Sequence, residues 1–547
     1  MASSSGNNPR DRIAACFGRL YVALSKLEVL AEVEPVMDPI LASASKLDVA
    51  LLETDEEEYE ETALKVVSAL RKAQLPDFNT LQQYLQQLDP TTLTIPFVFI
   101  LSSLIDSTLS EQTSRTLPQL LLPEGKLWPE ITRVLLTFDQ VQVRYVGAQF
   151  HKIIDTVYTG AEQTGNFVPA IQLIENAILR LDHTSSTLTI SHYYFVKLCL
   201  YARAYNEAAN ILNRPIYHIP TSEATKPLEK RLSKFVCSPH ESTVAYINPQ
   251  TGLSGRITSR VYLEYYFLSA LCFLGMQNWE KAQEFLEVVL TTPTSQNVAS
   301  LIQLEAYRKW LLVGLLIDGE GRELPRSVST NAAKHIRALG KPYECVVDAF
   351  KSNNMDTLQA EINEGIQVWT DDGNYGLMTE VMAAFRKFSV LRLSKTYAAL
   401  PIEEVARLTS PAPNDAAETL NYITMLITTG AVQAQLTPLS PKTQSASLGT
   451  LRFLPSTTTQ KSEAEVEREL AIKTAELQIL SKHIQDYDHQ LNVNKDYVEW
   501  LQKAKKARDQ EKKAGDKSAA SKPFGIPPGS GMGMGLDVDE EMMDDWN

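Results

Sequence analysis

LRLSKTYAALPIEEVARL, residues 391–408, followed by NDAAETLNYITMLITTG, residues 414–430, reads as a helix-turn-helix. From Ser394 the run SKTYAAL has helical composition. Pro401 suits the first turn of a second helix, IEEVARL, where its missing N–H costs nothing. Ile402, Val405, Ala406 and Leu408 fall on the inward side of that helix. Asn414 or Asp415 caps a third helix, whose Ala417, Leu420, Ile423, Met425, Leu426 and Ile427 form its apolar side and which Gly430 ends. AVQAQL, residues 431–436, then alternates as a strand, and TLRFL, residues 450–454, returns beside it across a polar loop. Three helices and a β-hairpin make a winged helix, assigned to residues 391–456.

A winged helix that reads DNA presents Arg, Lys, Asn or Gln from its third helix to the major groove. Between Asn414 and Gly430 there is no Lys or Arg, whereas Asp415 and Glu418 are acidic. Phosphate would be repelled from this helix. The whole chain, 547 residues long, has a formal net charge of −14. The domain therefore has a groove-reading shape without the charge, and its expected use is protein contact, not nucleic-acid binding.

Upstream, helical periodicity dominates and one pattern recurs, aromatic-x-x-Ala-x-x-x-aliphatic. It appears as Phe167 to Ala170 and Ile174, as Tyr205 to Ala208 and Leu212, and as Trp279 to Ala282 and Leu286. The first two copies lie 38 residues apart and the next interval is 74, which predicts helical hairpins with one degenerate or loop-expanded unit between. Where two helices cross closely only a small side chain fits, so Ala170, Ala208 and Ala282, with Leu286 beside the last, are the expected packing points. Ala270, Phe273, Val289 and Pro293 extend the third copy towards a tetratricopeptide pattern, without its usual Trp and Gly. The fold class predicted is mostly α, a TPR-like helical-hairpin solenoid over residues 1–390 with an irregular insertion at about 213–260. The winged helix follows it, then a C-terminal helix.

Apolar residues make up 44% and charged residues 22% of the chain, average globular usage. MASSSGNNPRDR lacks the apolar core of a secretory signal. LTIPFVFILSSLI, residues 93–105, is too short for a membrane span and is expected to be a buried helix, so no membrane contact is expected. Cys16, Cys199, Cys237, Cys272 and Cys345 are scattered and odd in number, which argues against disulfides or a zinc cluster; Cys199 and Cys272 sit in apolar helical runs.

TYAALPIEEVARL and ETLNYITMLITTGAVQAQL together resemble the signature of the PCI domain, a helical-repeat array ended by a winged helix. PCI domains are shared by the proteasome lid, the COP-nine signalosome and a translation-initiation complex. Leu400, Val405, Ala406 and Gly430 match the signature outright, Leu426-Ile427 stands for its Met-Ile pair and Val432 for its final aliphatic. SALCFLGMQNWEKAQEFLEVVLTTP, LEAYRKWLLVGLLIDGE and DDGNYGLMTEV are similar, in that order, to stretches of the signalosome's third-subunit family. That resemblance covers about residues 190–500. It implies a non-catalytic scaffold with signalosome subunits one and eight as neighbours, and the scattered cysteines imply a reducing compartment, nucleus and cytoplasm. It also implies that cullin-based ubiquitin ligases are reached only indirectly, as substrates from which the complex removes Nedd8. Docking of winged helices is expected through an edge strand at Thr450, Leu451, Arg452 and Phe453. The alternatives are a lid or translation-initiation subunit, or a nucleic-acid adaptor acting through the winged helix or the basic run at 503–517.

From Ser462 a long helix follows, expected over 457–512. Val466, Leu470, Leu477, Leu480, Ile484, Tyr487 and Leu491 fall on alternating three- and four-residue steps, with Lys473 at one seam position. Such a heptad stripe calls for partner helices, and the resemblance implies a bundle pooled among subunits. Residues 513–547, ending LDVDEEMMDDWN, form a Gly-, Pro- and acid-rich tail expected to be disordered, and ETDEEEYEE, residues 53–61, reads as a solvated face. Chemistry finds no footing. The eight histidines include no His-x-His or H-E-x-x-H, no G-x-x-x-x-G-K-[ST] occurs, and Gly252-Leu-Ser-Gly255 lacks the spacing of a nucleophile elbow. No catalytic residue, metal or cofactor is expected.

Overall fold

The computed structural model describes residues 37–73, 76–110, 116–220, 236–237, 243–293, 299–409, 416–437, 449–454, 463–493, 498, 501–503 and 505–506. The tail, Cys16, the expected caps Asn414 and Asp415, and much of the insertion lie outside them. The described chain falls into two units, one up to Glu463 and one from Ala464.

The first unit begins with α1 (Met37–Ala44), α2 (Val49–Thr54), α3 (Glu56–Lys72), α4 (Phe78–Gln87), α5 (Thr94–Ser110) and α6 (Trp128–Thr137). The apolar run 93–105 forms α5, whose core-facing residues from Ile95 to Ile105 are sealed from water. Hairpins follow: α7 (Gly147–Thr164) with α8 (Phe167–Leu181), α9 (Ile190–Ala202) with α10 (Tyr205–Leu212), and, after the short α11 (Thr243–Tyr246), α12 (Ser259–Gly275) with α13 (Trp279–Thr291). Then come α14 (Leu301–Asp318), α15 (Thr330–Lys351), α16 (Met355–Glu364), α17 (Ile366–Asp371) and α18 (Tyr375–Thr396). Successive helices pack on one another, and one buried cluster runs from Met37 to Ala282 and a second from Leu263 to Phe385.

The repeat has a physical cause visible at its turns. Phe167, Tyr205 and Trp279 are each the first residue of a second helix, and each follows by two a residue in the left-handed conformation: Gly165 (φ 70°), Arg203 (φ 56°) and Gln277 (φ 57°). The Ala204 N–H donates to Cys199 O at 2.9 Å and the Asn278 N–H to Phe273 O at 3.0 Å, the six-to-one bond that closes a helix end. The aromatic then folds back beside the helix it has just left, and Ala170, Ala208, Ala282 and Leu286 are buried where the paired helices meet. The same turn recurs at Asn353-Asn354-Met355 and Gly373-Asn374-Tyr375. There Leu358 and Met378 take the alanine position.

Among the described residues of the 74-residue interval there is no extra hairpin between the second and third copies, and α9 and α10 pack directly on α12. The described parts of the intervening chain lie back on the earlier helices. The Ile190 N–H donates to Ser254 O, and Leu188 N–H to His218 O, each at 2.9 Å. A Cβ on Gly147 would meet Thr251 O at 2.3 Å, so glycine is what lets the two backbones touch.

α14 is apolar on nearly every side, as expected of a helix enclosed by neighbours. It packs against α13, α15 and α18. α18 runs unbroken through position 390, contributing Met378, Val381 and Phe385 to the second core and Val390 to the third. The expected boundary at 390/391 therefore falls inside one rigid helix that carries the winged helix on its far end.

Candidate assembly site

Beyond α18 the chain forms β1 (Ala399–Pro401), α19 (Ile402–Thr409), α20 (Ala416–Thr428), β2 (Ala434–Thr437) and β3 (Thr450–Phe453). SKTYAAL does not continue as a helix: α18 stops at Thr396 and Ala399-Leu400-Pro401 is a strand, because the residue before a proline is driven to extended geometry. Thr450, Leu451, Arg452 and Phe453 are not an edge. The sheet order is β1-β3-β2, so β3 is paired on both sides, Leu451 opposite Leu400 in β1 and Leu436 in β2. Leu451 and Phe453 point into the domain core with Ile402, Val405, Ile423 and Leu426, leaving Arg452 exposed.

The outer strands are β1 and β2. Pro401 cannot donate a hydrogen bond, so the β1 edge is blunted and the outer side of β2 is the better adhesive edge. On α20, Thr419, Ile423 and Leu426 are buried, while Glu418, Asn421 and Thr424 face outward; Ala417 and Met425, expected on the apolar side, also face outward, and Leu408 of α19, expected to face inward, is exposed. The outward face of the would-be recognition helix is neutral to acidic. Arg386 of α18 lies 4.2 Å from the Tyr422 ring centroid and 2.9 Å from Glu418, tying α20 to the end of the repeats.

In the second unit, α21 (Glu463–Val493) is one continuous helix. Its seam is open over the described positions: Leu470 is 61%, Leu477 64% and Ile484 52% exposed, with Val466 and Leu480 also exposed. The side chains of Tyr487 and Leu491 lie outside the described residues. A second apolar line escaped the heptad reading. Ile472 and Ile479, seven residues apart and two positions round from the seam, are exposed as well, so the helix offers apolar surface to more than one neighbour.

Buried polar groups near the insertion form the only Ser–His arrangement with a short contact among the described residues. Ser185 Oγ lies 2.8 Å from His192 Nε2. The Thr189 N–H donates to His192 Nδ1 at 3.2 Å, so Nδ1 is unprotonated and Nε2–H must donate to the serine. A histidine in that tautomer cannot take the serine's proton. Both residues are sealed, and the cavity beside them, about 10 Å³, admits a single water. The pair closes the start of α9 and performs no hydrolysis.

Burial pushes the His192 pKa down to about 4, with Asp182 opposing weakly. The unfolded chain binds the proton near pH 6.5 and the folded one only near 4, so stability is full above pH 6.5 and is lost as the pH falls towards 4. The expected loss from this group is about 3 kcal/mol. Urea unfolding at neutral and acid pH, compared with His192→Asn, should show a shallower acid decline in the variant; equal declines would exclude the histidine as the cause.

Glu60 was hidden in an acidic run read as a solvated face. Asp55 does cap α3, accepting from Glu57 and Glu58 N–H groups. Glu60 Oε2, however, accepts from Tyr145 Oη at 2.6 Å and from the Val236 N–H at 3.1 Å, pinning the insertion to the first helices. Tyr–carboxylate bridges recur between neighbouring helices: Tyr194 to Asp155, Tyr193 to Glu264, Tyr307 to Glu344, and Tyr343 to Asp372, all at 2.7–2.8 Å. Cys199, Cys237 and Cys272 are buried free thiols and Cys345 an exposed one. Among the described residues no three His, Cys, Asp or Glu side chains converge as metal ligands, and no helix is long and apolar enough to cross a membrane.

A hairpin solenoid carrying a winged helix on its last long helix defines the helical-repeat, PCI-like class of assembly subunits. Comparison with known proteins narrows this. The family model described as COP9 signalosome complex subunit 3, N-terminal helical repeats, matches residues 57–331, and the chain belongs to that family. The COP9 signalosome complex subunit 3 of Emericella nidulans is 27% identical over 471 residues, covering 86% of this chain and 91% of that protein. Its namesake from Neurospora crassa is 27% identical over 443 residues, covering 80% and 85%. A member of this family sits in a complex with other subunits.

Proposed function

We propose that the chain is a non-catalytic scaffold of the signalosome in nucleus and cytoplasm, supporting the complex that removes Nedd8 from cullins. The repeats hold the winged helix at a fixed angle through α18. The winged helix docks on neighbours through the free edge of β2 and the outward face of α20. α21 enters a helical bundle shared with other subunits, with subunits one and eight as the expected neighbours. The observation that carries this reading is the open apolar seam of α21, since exposing large aliphatic side chains along a helix costs free energy that only association recovers.

The test is a tagged chain lacking residues 462–502, expressed in cells and compared with the full chain by mass spectrometry of what co-purifies. The truncated chain is expected to fold, by its far-ultraviolet dichroism, and to bring down the other subunits at a small fraction of the full chain's level. Recovery of the whole complex at the normal level would refute the bundle reading. Recovery of proteasome-lid or initiation-complex subunits by the full chain would refute the assignment itself.

A further inference from the structure

Beside α18, where the repeats meet the winged helix, an open groove of about 560 Å³ lies between the turn after α14, the end of α15 and the last turns of α18. We propose that this groove is a docking site for an acidic, aromatic-containing peptide segment of a partner protein. It goes beyond the assembly reading, which uses neither this groove nor its residues.

Lys351, Arg392 and Lys395 line it, and none of the three forms an ion pair among the described residues. Acidic residues outnumber basic ones 66 to 52 in the chain, so three cations gathered without an ion-pair partner run against its composition. Of the two acids in the lining, Asp318 is already neutralised by Arg322 at 2.6 Å, which leaves Glu320. The balance is three unpaired positive charges against one negative. Arg392 is directed by the rings of Phe350 and Phe385, 5.9 and 5.7 Å from its guanidinium carbon. Its Nη2 is sealed from solvent and has no hydrogen-bond partner. A buried donor without an acceptor is costly, and a carboxylate beside this half-buried guanidinium would offset part of that cost. Burial already lowers the Arg392 pKa, with Glu320 opposing, so the cation is only partly compensated for its desolvation.

The floor selects a peptide over a polyphosphate chain. Phe388 and Leu391 give it an apolar strip, and Gly319 lets the Phe388 ring lie flat on the turn, since a Cβ there would meet the ring at 2.6 Å. Uniformly charged phosphates would find three cations, one repelling carboxylate and no use for the strip. Alternating carboxylates with one aromatic side chain satisfy all of it.

The probe is a fluorescein-labelled synthetic peptide of glutamates around one tryptophan, titrated with the full chain and followed by anisotropy at low salt and at about 0.3 M NaCl. Binding is expected to be salt-sensitive, to weaken at least about tenfold in Lys351→Glu/Lys395→Glu, and to weaken again when the peptide's tryptophan becomes alanine. Both lysines are exposed, so an unchanged melting temperature will show that the variant is folded. Absence of binding, or equal binding by the variant, would overturn the proposal. So would tighter binding of a labelled duplex that the same substitutions abolish, which would make the groove a nucleic-acid site. Binding that appears only after removal of residues 536–547 would assign the groove to the chain's own acidic end, and overturn it equally.

Discussion

Trp369→Ala is expected to lower the unfolding free energy by about 4 kcal/mol, the range for deleting a large aromatic ring from a packed core. Trp369 is sealed in the second core cluster, its indole N–H donates to Ile362 O at 3.0 Å, and its ring meets Tyr343 edge-on at 4.7 Å. Gly365 lies against the ring so closely that a Cβ would stand 2.3 Å from it. The same residue closes the turn into α18, because the Asn374 N–H donates to Trp369 O at 2.8 Å. Around that turn, Arg308 of α14 bonds Asp372 at 2.6 Å, and the Tyr343 hydroxyl reaches Asp372 while accepting from Asn374 at 2.7 Å. Truncation leaves a cavity under the base of the helix that carries the winged helix. The denaturant midpoint and amide exchange along residues 375–396 should both report it; normal exchange there in a destabilised variant would show that α18 is held by α14 alone.

What the sequence made legible follows from which forces act locally. The aromatic-x-x-Ala copies at 167, 205 and 279 were readable because a crossing point needs a small residue and the turn before it places an aromatic at the first helical position. The copies at 355 and 375 were not, since Met355 is no aromatic and Leu358 and Met378 replace the alanine. The left-handed residue two positions earlier is the more general signal, and asparagine or glycine occupies it at 353, 373 and 165. In the winged helix, composition made TYAAL look helical, but one proline outweighed it and produced β1, and adding that strand converted β3 from edge to centre. An edge reading depends on every strand being counted, which a tertiary pairing 50 residues away decides. Glu60 was invisible for the same reason: its partners Tyr145 and Val236 lie 85 and 176 positions along the chain. The apolar stripe of α21 could be traced from the sequence because a heptad is local, although its second line at Ile472 and Ile479 is not part of the heptad.

That seam supports the largest functional effect. Leu470→Glu/Leu477→Glu/Ile484→Glu is expected to abolish incorporation into the complex while leaving the far-ultraviolet dichroism unchanged. Burying three aliphatic side chains contributes about 6 kcal/mol, on the order of 10⁴-fold in affinity, and placing carboxylates in a bundle core adds a desolvation cost. Glutamate is a good helix former, so α21 itself should persist. Arg468→Glu/Lys482→Glu changes charge on a different face of the same helix and should assemble normally, which separates loss of the seam from a general charge effect. Ile472→Glu/Ile479→Glu should give an intermediate loss if a second partner helix rests on that line. The measurement is co-purification with the tagged chain at matched expression. A triple variant that assembles at the normal level but melts earlier would mean that the seam is covered from within the chain, and the scaffold reading would then have to rest on β2 and α20.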